Sequence, residues 1–383
     1  MAVYKIFPEK TATMYSQYPD MNTGRDEILE VSSYYIGDSS YVNRSLIQFD
    51  LTEINQVLDN YVATDTGAAT NFSASLKLFL ASANEVPTSY TLEAHPVYIP
   101  NEEFPSWVAG NGKFGDLPRN SSGVSWIYTQ SSGSDDGWVW YEPGANQTDN
   151  YYSSSEAGGG QWWVATGDYT FNMSQSHTVT STHDIDINVT DGVLAQYDST
   201  ISNAGFLLKL SSSLEFNAYS NQRQLYLRYY SGQTHTVYPP CLEIKWDDSE
   251  YQTNLNLITD SNATIKIKNN RGEYTDEGKQ RFELAVRPKY PVRTFSTSSN
   301  YLTNYRLPAN TYWGIRDENT EEMVIDFDTN FTKVSASPSS SYFDVYMEGL
   351  EPERYYRILL KTNINGSTNI IDENIVFKVV RNG

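Results

Sequence analysis

The stretch RSLIQFDLTEI, residues 44–54, carries the information that decides the fold class of this chain. Ile47, Phe49 and Leu51 alternate with Gln48 and Asp50, and this period of two is typical of a β-strand with one buried face. The stretch therefore predicts a strand of a β-sandwich, and the acidic residue within it belongs to the strand's polar side.

Two residues of this stretch depart from simple alternation. Leu46 adds an apolar side chain on the polar side, which predicts a central strand that is partly covered on its second face as well. Arg44 lies at the predicted start of the strand, where its guanidinium can pair with a carboxylate or with loop carbonyls and fix the register. We therefore expect structural rather than ligand-binding roles for Arg44 and Asp50.

Similar short apolar runs, bounded by Gly, Pro, Asn and Ser, recur along the chain and predict further strands. They lie at residues 28–31, 76–81, 185–189, 205–210, 224–230 and 242–246. Strands at this spacing predict an all-β sandwich or barrel. The one helix expected follows the strand predicted in RSLIQFDL (44–51), in DLTEINQVLDNYV (50–62), with Thr52 as its N-cap.

A composition shift near residue 248 predicts two domains in the 383-residue chain. The polar string DDSEYQTN (247–254) separates residues 1–248, an N-terminal β-sandwich, from a smaller β-sandwich in residues 249–383. Within the second, GLEPERYYRILLK (349–361) has the shape of the tyrosine-corner turn of fibronectin-type and immunoglobulin-like sandwiches. Either Tyr355 or Tyr356 is expected to send its hydroxyl back to the upstream backbone.

Charge and composition exclude several function classes. The chain has 27 Lys and Arg against 47 Asp and Glu, a formal charge of −20, which disfavours nucleic acid and anionic membranes as partners. No apolar stretch predicts a secretory signal or a membrane span. The four histidines stand without a nucleophile elbow, so we expect no enzymatic activity. The single cysteine, Cys241, is expected to be a buried core residue.

A Trp-rich insertion over about residues 107–167 differs from both of its flanks. It holds six of the eight tryptophans among Gly- and Ser-rich segments, and such long loops are usually functional or committed to packing. Two hypotheses are open for five of these rings: stacking on sugars, or filling a small core or subunit contact, which is the favoured one. The five are Trp126, Trp138, Trp140, Trp162 and Trp163.

Acidic residues in HDIDINVTDG (183–192) are the candidates for a metal site. Asp184, Asp186 and Asp191 carry the hard oxygen ligands that Ca²⁺ prefers, and so do Asp135 and Asp136 in GSDDGW (133–138). No EF-hand pattern is present, and alternation with Ile185 and Ile187 is explained more simply by an outward-facing strand side. No cofactor is required by any motif, although calcium stays possible on this pattern.

The order of several short segments resembles the DNRLRE-type β-sandwich domains, which are similar to carbohydrate-binding modules. The segments are TATMYS (11–16), NTG (22–24), RSLIQFDL (44–51), LKLFLA (76–81), VSW (124–126), IDINVTDGV (185–193), GFLLKL (205–210) and PPCLEIKW (239–246). The resemblance covers roughly residues 5–248 and implies a jelly-roll-like sandwich. Thr11 stands where the family usually has Asp, and the segment after VSW is longer than in a minimal module.

The opening VYKIFPEKTATMYSQYPDMNTG (3–24) and much of the C-terminal region resemble virion structural proteins of large contractile-tailed phages. This resemblance implies a non-enzymatic component of the tail, neck, baseplate or fibre, located in the virion and assembled with other virion proteins and with copies of itself. A capsid decoration protein is a less favoured form of the same role. The alternative is a carbohydrate-binding module or adhesin that recognises host-surface polysaccharide.

Overall fold

The computed structural model describes residues 2–100, 106–132, 137–140, 158–260, 262–291 and 303–382, together with the backbone of 151–153. Strands make up 45% of the structure and helices 9%, and almost all strand pairs are antiparallel. The all-β, sandwich-forming fold class predicted from the sequence is therefore confirmed.

The strands overlap every predicted apolar run, but two bounds differ: the strand in 44–51 ends at Gln48 before a helix, and the run 76–81 spans two strands. In chain order they are β1 (Ala2–Ile6), β2 (Lys10–Tyr15), β3 (Ile28–Ile36), β4 (Ser39–Gln48), β5 (Ser73–Leu78), β6 (Leu80–Asn84), β7 (Ser89–Pro96), β8 (Tyr128–Ser131), β9 (Gly137–Val139), β10 (Tyr151–Ser153), β11 (Gln161–Trp163), β12 (Met173–Thr178), β13 (Ile185–Asn188), β14 (Phe206–Leu210), β15 (Leu225–Tyr230), β16 (Cys241–Trp246), β17 (Ala263–Ile267), β18 (Glu273–Thr275), β19 (Lys279–Pro288), β20 (Tyr312–Asp317), β21 (Met323–Ile325), β22 (Ser335–Ala336), β23 (Ser341–Tyr346), β24 (Arg354–Ile364) and β25 (Ser367–Val380).

The helical segments are short. They are α1 (Leu51–Val57), a π-helical turn (Leu58–Val62), α2 (Ala63–Thr66), α3 (Thr190–Tyr197), α4 (Ala218–Asn221) and a 3₁₀ turn (Met347–Gly349). The helix predicted in residues 50–62 is present and begins with α1. The prediction that Thr52 is its N-cap was wrong. The Asp50 side chain accepts the backbone N–H of Thr52 at 2.8 Å, and its carbonyl accepts the N–H of Ile54, so Asp50 caps α1.

The chain divides into two compact units. We call Ile6–Val57 with Ser73–Glu243 the N-terminal unit, and Met1–Lys5, Leu58–Phe72 and Ile244–Gly383 the C-terminal unit. The two short segments that precede residue 73 therefore belong with the C-terminal unit. No sequence pattern indicated this placement, because the sequence of neither segment shows which strands are its partners.

The main sheet of the N-terminal unit has the order β12-β7-β14-β4-β3-β15-β6, with β2 also paired to β4. A further antiparallel pair is β5 with β13, and two small pairs, β8 with β9 and β10 with β11, belong to the insertion. The predicted central strand is β4, flanked by β14 on one side and by β3 and β2 on the other.

Strand β4 is covered on both faces, which explains the broken alternation in its sequence. Leu46, Ile47 and Phe49 are each at most 1% exposed. Leu46 and Val42 lie on the side that packs against the insertion, in one apolar cluster with its tryptophans. Arg44 is two residues away from each of them, so its side chain lies on the same side of the strand.

The C-terminal unit is a sandwich of two sheets with the orders β17-β19-β23-β22 and β18-β25-β24-β20-β21. Its core is rich in aromatic rings. Trp313 stacks on Phe343 with ring centroids 5.1 Å apart, and Phe343 lies opposite Phe282 in the β19–β23 register, 5.4 Å away. These contacts are apolar, and they connect residues of neighbouring or facing strands.

The predicted tyrosine corner is present, and it uses Tyr356. The hydroxyl of this buried residue donates to the carbonyl of Glu351 at 2.8 Å, whereas Tyr355 is 48% exposed. The bond holds the turn that precedes β24, as the immunoglobulin-like pattern in the sequence predicted.

Candidate functional site

Arg44 lies in the middle of β4, and its guanidinium is the centre of the packed insertion. Nε and Nη2 donate to the two carboxylate oxygens of Glu215 at 3.0 and 2.7 Å, and Nη1 donates to the Gly159 carbonyl at 2.7 Å. The rings of Trp126 and Trp162 each lie 5.2 Å from the guanidinium carbon. Since Arg44 is only 1% exposed, these protein groups take the place of solvent as the partners of its charge.

Lys209 extends this buried network of charges. It is 1% exposed and lies 3.6 Å from Glu215 and 3.0 Å from Glu93. Burial by itself raises the pKa of the Glu93 carboxyl, but the hydrogen bond from His95 and the charge of Lys209 outweigh it and lower the pKa to about 2. Burial lowers the pKa of His95, so its 3.4 Å contact with Glu93 is a hydrogen bond from a neutral ring at pH 7.

A run of three glycines in the insertion is part of this packed centre. Gly158–Gly160 all have left-handed backbones, with φ of 84°, 80° and 86°. A Cβ at Gly158 would lie 2.0 Å from the carbonyl oxygen of Trp126, and one at Gly159 would lie 2.8 Å from Nη1 of Arg44. The glycines are therefore required by close approach and by conformation, and they bring the backbone carbonyl to the guanidinium.

The five tryptophans named as sugar-stacking candidates have different environments. Trp126, Trp140 and Trp162 are 2–3% exposed and form one cluster with Trp107, so they offer no open ring face to a sugar. Trp138 is 44% exposed, and the partly buried Trp163 packs edge-on against Tyr98. The packing hypothesis therefore accounts for three of the five rings, and the stacking hypothesis is left with Trp138 and Trp163.

The three acids predicted as candidate calcium ligands have different contacts and different environments. Asp184 accepts the backbone N–H of Leu80 at 2.7 Å, Asp186 projects from β13 at 3.8 Å from Lys77, and Asp191 lies in the first turn of α3. Among the residues that the structure describes, no group of three or more His, Cys, Asp or Glu could hold a metal ion. Two further acids proposed with them lie outside the described residues: Asp135 and Asp136.

An open cleft of about 530 Å³ lies on the N-terminal unit, where β2, β3, β4 and β15 run side by side. We call it the tyrosine cleft. Its lining combines aromatic rings with acids, amides and bases: Tyr15, Gln17, Asp26, Glu27, Ile28, Glu30, Tyr34, Asn43, Lys113, Phe114, Tyr226 and Arg228. This volume falls within the range of about 300–1,000 Å³ that is typical of small-molecule sites.

The aromatic walls of the tyrosine cleft are held by ring contacts. Tyr34 stacks between Tyr41 and Tyr226, with ring centroids 5.6 and 5.3 Å away, and the Tyr226 ring is partly exposed. Elsewhere in the lining, Phe114 packs on Tyr15 at 5.1 Å and remains 50% exposed. Two aromatic rings that are fixed from behind therefore present accessible surface to the cleft.

The polar part of the cleft is organised around Glu30, which is 8% exposed. One carboxylate oxygen accepts from Asn43 at 2.7 Å and from Ser32 at 3.1 Å, and the other accepts Nε of Arg228 at 2.9 Å. Asn43 is 1% exposed, and its amide oxygen has no hydrogen-bond partner among the described residues. A buried acceptor without a donor is costly, so this atom marks a place where a donor fits.

Asp26 lies at the other side of the cleft, where its carboxylate accepts the backbone N–H of Phe114 at 3.1 Å. Burial raises the pKa of Asp26 to about 6, against the lowering effects of that hydrogen bond and of Lys113. Glu27 lies 3.9 Å from Lys113. The cleft therefore carries charges of both signs, with only a small excess of negative charge near pH 7.

A second candidate surface is the outer edge of β25 in the C-terminal unit. β25 pairs with β24 along its length, but with β18 only at residues 378–380. Within the part of the chain that the structure describes, no strand pairs with residues 367–375 on that outer side. We call these residues the open edge. They include Ile370, which is 62% exposed.

Sequence reasoning missed both surfaces. The cleft residues come from four strands and from loops that are neighbours only in the folded chain, and Glu30 is one acid among 47. A usable signal was present in ILEVSSYYI (28–36), where a lone acid interrupts an apolar strand. The open edge exists because one side of a strand has no paired strand in the sheet. The sequence pattern of a single strand does not show which strands pair with it.

Comparison with known proteins brings no match, neither to a protein-family model nor to a curated protein. No helix in the described ranges is long and apolar enough to cross a membrane. Fold and surfaces together define a class: an all-β protein of two sandwich-forming units, with a mixed aromatic and polar cleft on one and an unpaired strand edge on the other.

Proposed function

We propose that this chain is a structural component of a contractile-tailed phage virion, associated with the tail, neck, baseplate or fibre. It acts through contacts with other virion proteins and with copies of itself, and it carries out no bond chemistry. A capsid decoration protein is the less favoured form of the same role. The phage assignment rests on the resemblance of its sequence segments, and the assembly role is supported by the open edge.

The open edge presents backbone groups that are ready for pairing. Residues 365–366 form a two-residue turn with φ of 53° and 81°, as in type I′ hairpins. In such a hairpin the closing pair, Ile364 and Ser367, exchanges both hydrogen bonds, so Thr368 and Ile370 direct their N–H and C=O groups outward. Exposed edges of this kind are templates for a further strand.

The side chains of the open edge are compatible with pairing between two copies. An antiparallel pairing centred on Ile370 places this residue opposite its own counterpart, Asp372 opposite Thr368, and Glu373 opposite Ser367. No acid then faces an acid, and two exposed isoleucines cover each other. A two-fold arrangement of this kind is the commonest way for a chain to self-associate.

Light scattering after size exclusion, measured over a range of concentrations, tests the contact. We expect the mass of the wild-type chain to rise towards that of a dimer, and Ile370→Lys to prevent this, because two like charges would meet at the two-fold axis. Thr368→Lys is the matched control, since the new charge would face Asp372 of the other copy and favour pairing. Monomeric wild-type protein, or equal masses for wild type and Ile370→Lys, would contradict the contact.

The location is tested on phage particles. Peptide mass spectrometry of purified virions should detect the chain in fixed stoichiometry with the other tail proteins, and averaged electron density should accommodate its two units. Absence of the chain from purified particles would refute the virion assignment.

A second candidate function is recognition of a host-surface polysaccharide. The observation that favours it is the tyrosine cleft, where accessible aromatic rings lie beside hydrogen-bonded acid and amide groups. The tryptophans do not favour it, because three of the five are buried. Binding of the intact chain to any member of a glycan panel is the first test of this function.

A further inference from the structure

We propose that the tyrosine cleft binds a neutral saccharide, through stacking on Tyr226 and Phe114 and through hydrogen bonds to the polar groups around Glu30 and Asn43. The inference rests on the second candidate function, glycan recognition, and is independent of the assembly role. It assigns that function to the tyrosine cleft instead of the insertion's tryptophans, and it names the chemical class of the ligand.

The aromatic surfaces fit the apolar faces of sugar rings. Tyr226 is supported from behind by Tyr34, and Phe114 is supported by Tyr15 at 5.1 Å and by Tyr18 at 6.1 Å. Rings that are fixed in this way lose little conformational freedom when a ligand stacks on them. Two such rings in the lining of one cleft favour a ligand that has flat apolar faces.

The polar groups fit hydroxyls. The Glu30 carboxylate is held in place by Ser32, Asn43 and Arg228, so it is oriented before any ligand arrives. The amide oxygen of Asn43 is a buried acceptor with no partner in the described chain. A sugar hydroxyl can donate to such an acceptor, which a purely apolar ligand cannot do.

The charges of the cleft select against ionic ligands. Three carboxyl groups, on Asp26, Glu27 and Glu30, face two cations, Lys113 and Arg228. Arg228 is already bound to Glu30, and Lys113 lies 3.9 Å from Glu27, so neither is a free anion site. The chain as a whole carries a formal charge of −20, which further opposes sulfated or carboxylated polysaccharides.

Affinity electrophoresis of the full chain tests the proposal. The neutral probes are dextran, mannan, galactan and xylan, and the anionic probes are alginate and dextran sulfate. We expect retardation by at least one neutral polysaccharide and by neither anionic one. Phe114→Ala and Tyr226→Ala should each weaken binding about tenfold, the loss expected when a stacking ring is removed.

Tyr290→Ala is the matched control, because Tyr290 lies in the C-terminal unit and is 75% exposed. Circular dichroism of each variant confirms that it is folded; Phe114 is half exposed and the less disruptive change of the two. Unchanged binding in Tyr290→Ala with weakened binding in both cleft variants supports the proposal.

The contrary outcomes are distinguishable. If the folded wild-type chain binds none of the six polysaccharides, glycan recognition itself is refuted. If it binds a neutral polysaccharide and both cleft variants bind equally well, glycan recognition stands and the assignment to the cleft is wrong. Retardation by alginate or dextran sulfate alone would overturn the ligand class.

Discussion

The two units of this protein bury tryptophan in different chemical environments. In the N-terminal unit, the rings of Trp126 and Trp162 each lie 5.2 Å from a buried guanidinium, that of Arg44. In the C-terminal unit, Trp313 stacks on Phe343 in a core made of aromatic and aliphatic side chains. The first arrangement combines ring faces with charge and hydrogen bonds, and the second consists of apolar contact alone.

The difference follows from where the rings come from. Trp313 and Phe343 are strand residues, and their period-two placement aims them into the core without further help. Trp126 belongs to an irregular segment of the insertion, which needs an anchor of defined geometry. Arg44 supplies one, because a guanidinium has donors in fixed directions and two flat faces. A polar anchor gives geometric definition, but it leaves a buried charge when one partner is lost.

The largest expected effect is that of Arg44→Met. Removing the guanidinium leaves the Glu215 carboxylate buried beside Lys209 alone, so we expect the free energy of unfolding to fall by about 3–5 kcal/mol. Urea denaturation measures this loss. The double variant Arg44→Met with Glu215→Gln should recover part of it, because the uncompensated charge is then absent.

A matched control for that prediction exists in the C-terminal unit. Arg281 binds both oxygens of Asp344 at 2.9 Å, but its side chain is 52% exposed and Lys279 lies 3.5 Å from the same carboxylate. Arg281→Met should therefore lower the free energy of unfolding by only about 0–1 kcal/mol. Equal losses for Arg44→Met and Arg281→Met would show that burial of the charge is not what distinguishes them.

The second prediction concerns the apolar core of the C-terminal unit. Phe343→Leu removes one ring from a stack that includes Trp313 and Phe282, and it should lower the free energy of unfolding by about 1–2 kcal/mol. The loss should be the same in low and high salt, since no charge is involved. A clear salt dependence would mean that the two cores differ less than their contacts indicate.

The third prediction uses the pH dependence of stability. The pKa of Asp26 is about 6 in the folded chain, against about 3.9 for an unfolded aspartate. Between these values the folded state binds more protons, so this residue's contribution to stability is highest below pH 4 and falls as the pH rises to 6. Because Asp26 is partly exposed, solvent screening reduces the effect to about 1 kcal/mol.

Asp26→Asn should remove that fall, since a carboxamide cannot ionise but can still accept the N–H of Phe114. Relative to wild type, the variant should therefore gain about 1 kcal/mol of stability between pH 4 and pH 7, measured by urea denaturation at both values. A constant difference between the two proteins over this pH range would contradict a raised pKa for Asp26.

Much of the fold could be predicted from the sequence, because period-two patterns are local. The runs that became β3, β4, β14 and β15 were visible as alternating or continuous apolar stretches, and the broken alternation at Leu46 correctly indicated a strand covered on both faces. The corner at Tyr356 was likewise visible as a short motif. Helix capping is harder to predict, because Asp50 and Thr52 are both residue types that favour the N-cap and only the structure shows that Asp50 occupies it.

The sites could be predicted far less well, because their contacts join distant segments. Nothing in the sequence distinguishes Glu215 from the other acids as the partner of Arg44. The glycines at 158–160 have the composition of a flexible linker, yet they approach Trp126, Arg44 and Leu207 too closely for any side chain. The tyrosine cleft required knowledge of which strands are neighbours, and that is a property of the whole sheet.

The ion pair between Arg44 and Glu215 also has a consequence for synthesis on the ribosome. The two residues are separated by 171 positions, and at about 5–20 residues per second the carboxylate emerges roughly 9–34 s after the guanidinium. Until then Arg44 is a cation without its carboxylate partner, on the side of β4 that is later buried. The insertion therefore cannot pack over this side of the strand. The nascent N-terminal unit therefore completes its tryptophan-lined centre only near the end of its own translation, and the solvated Arg44 keeps that face of the strand from premature collapse.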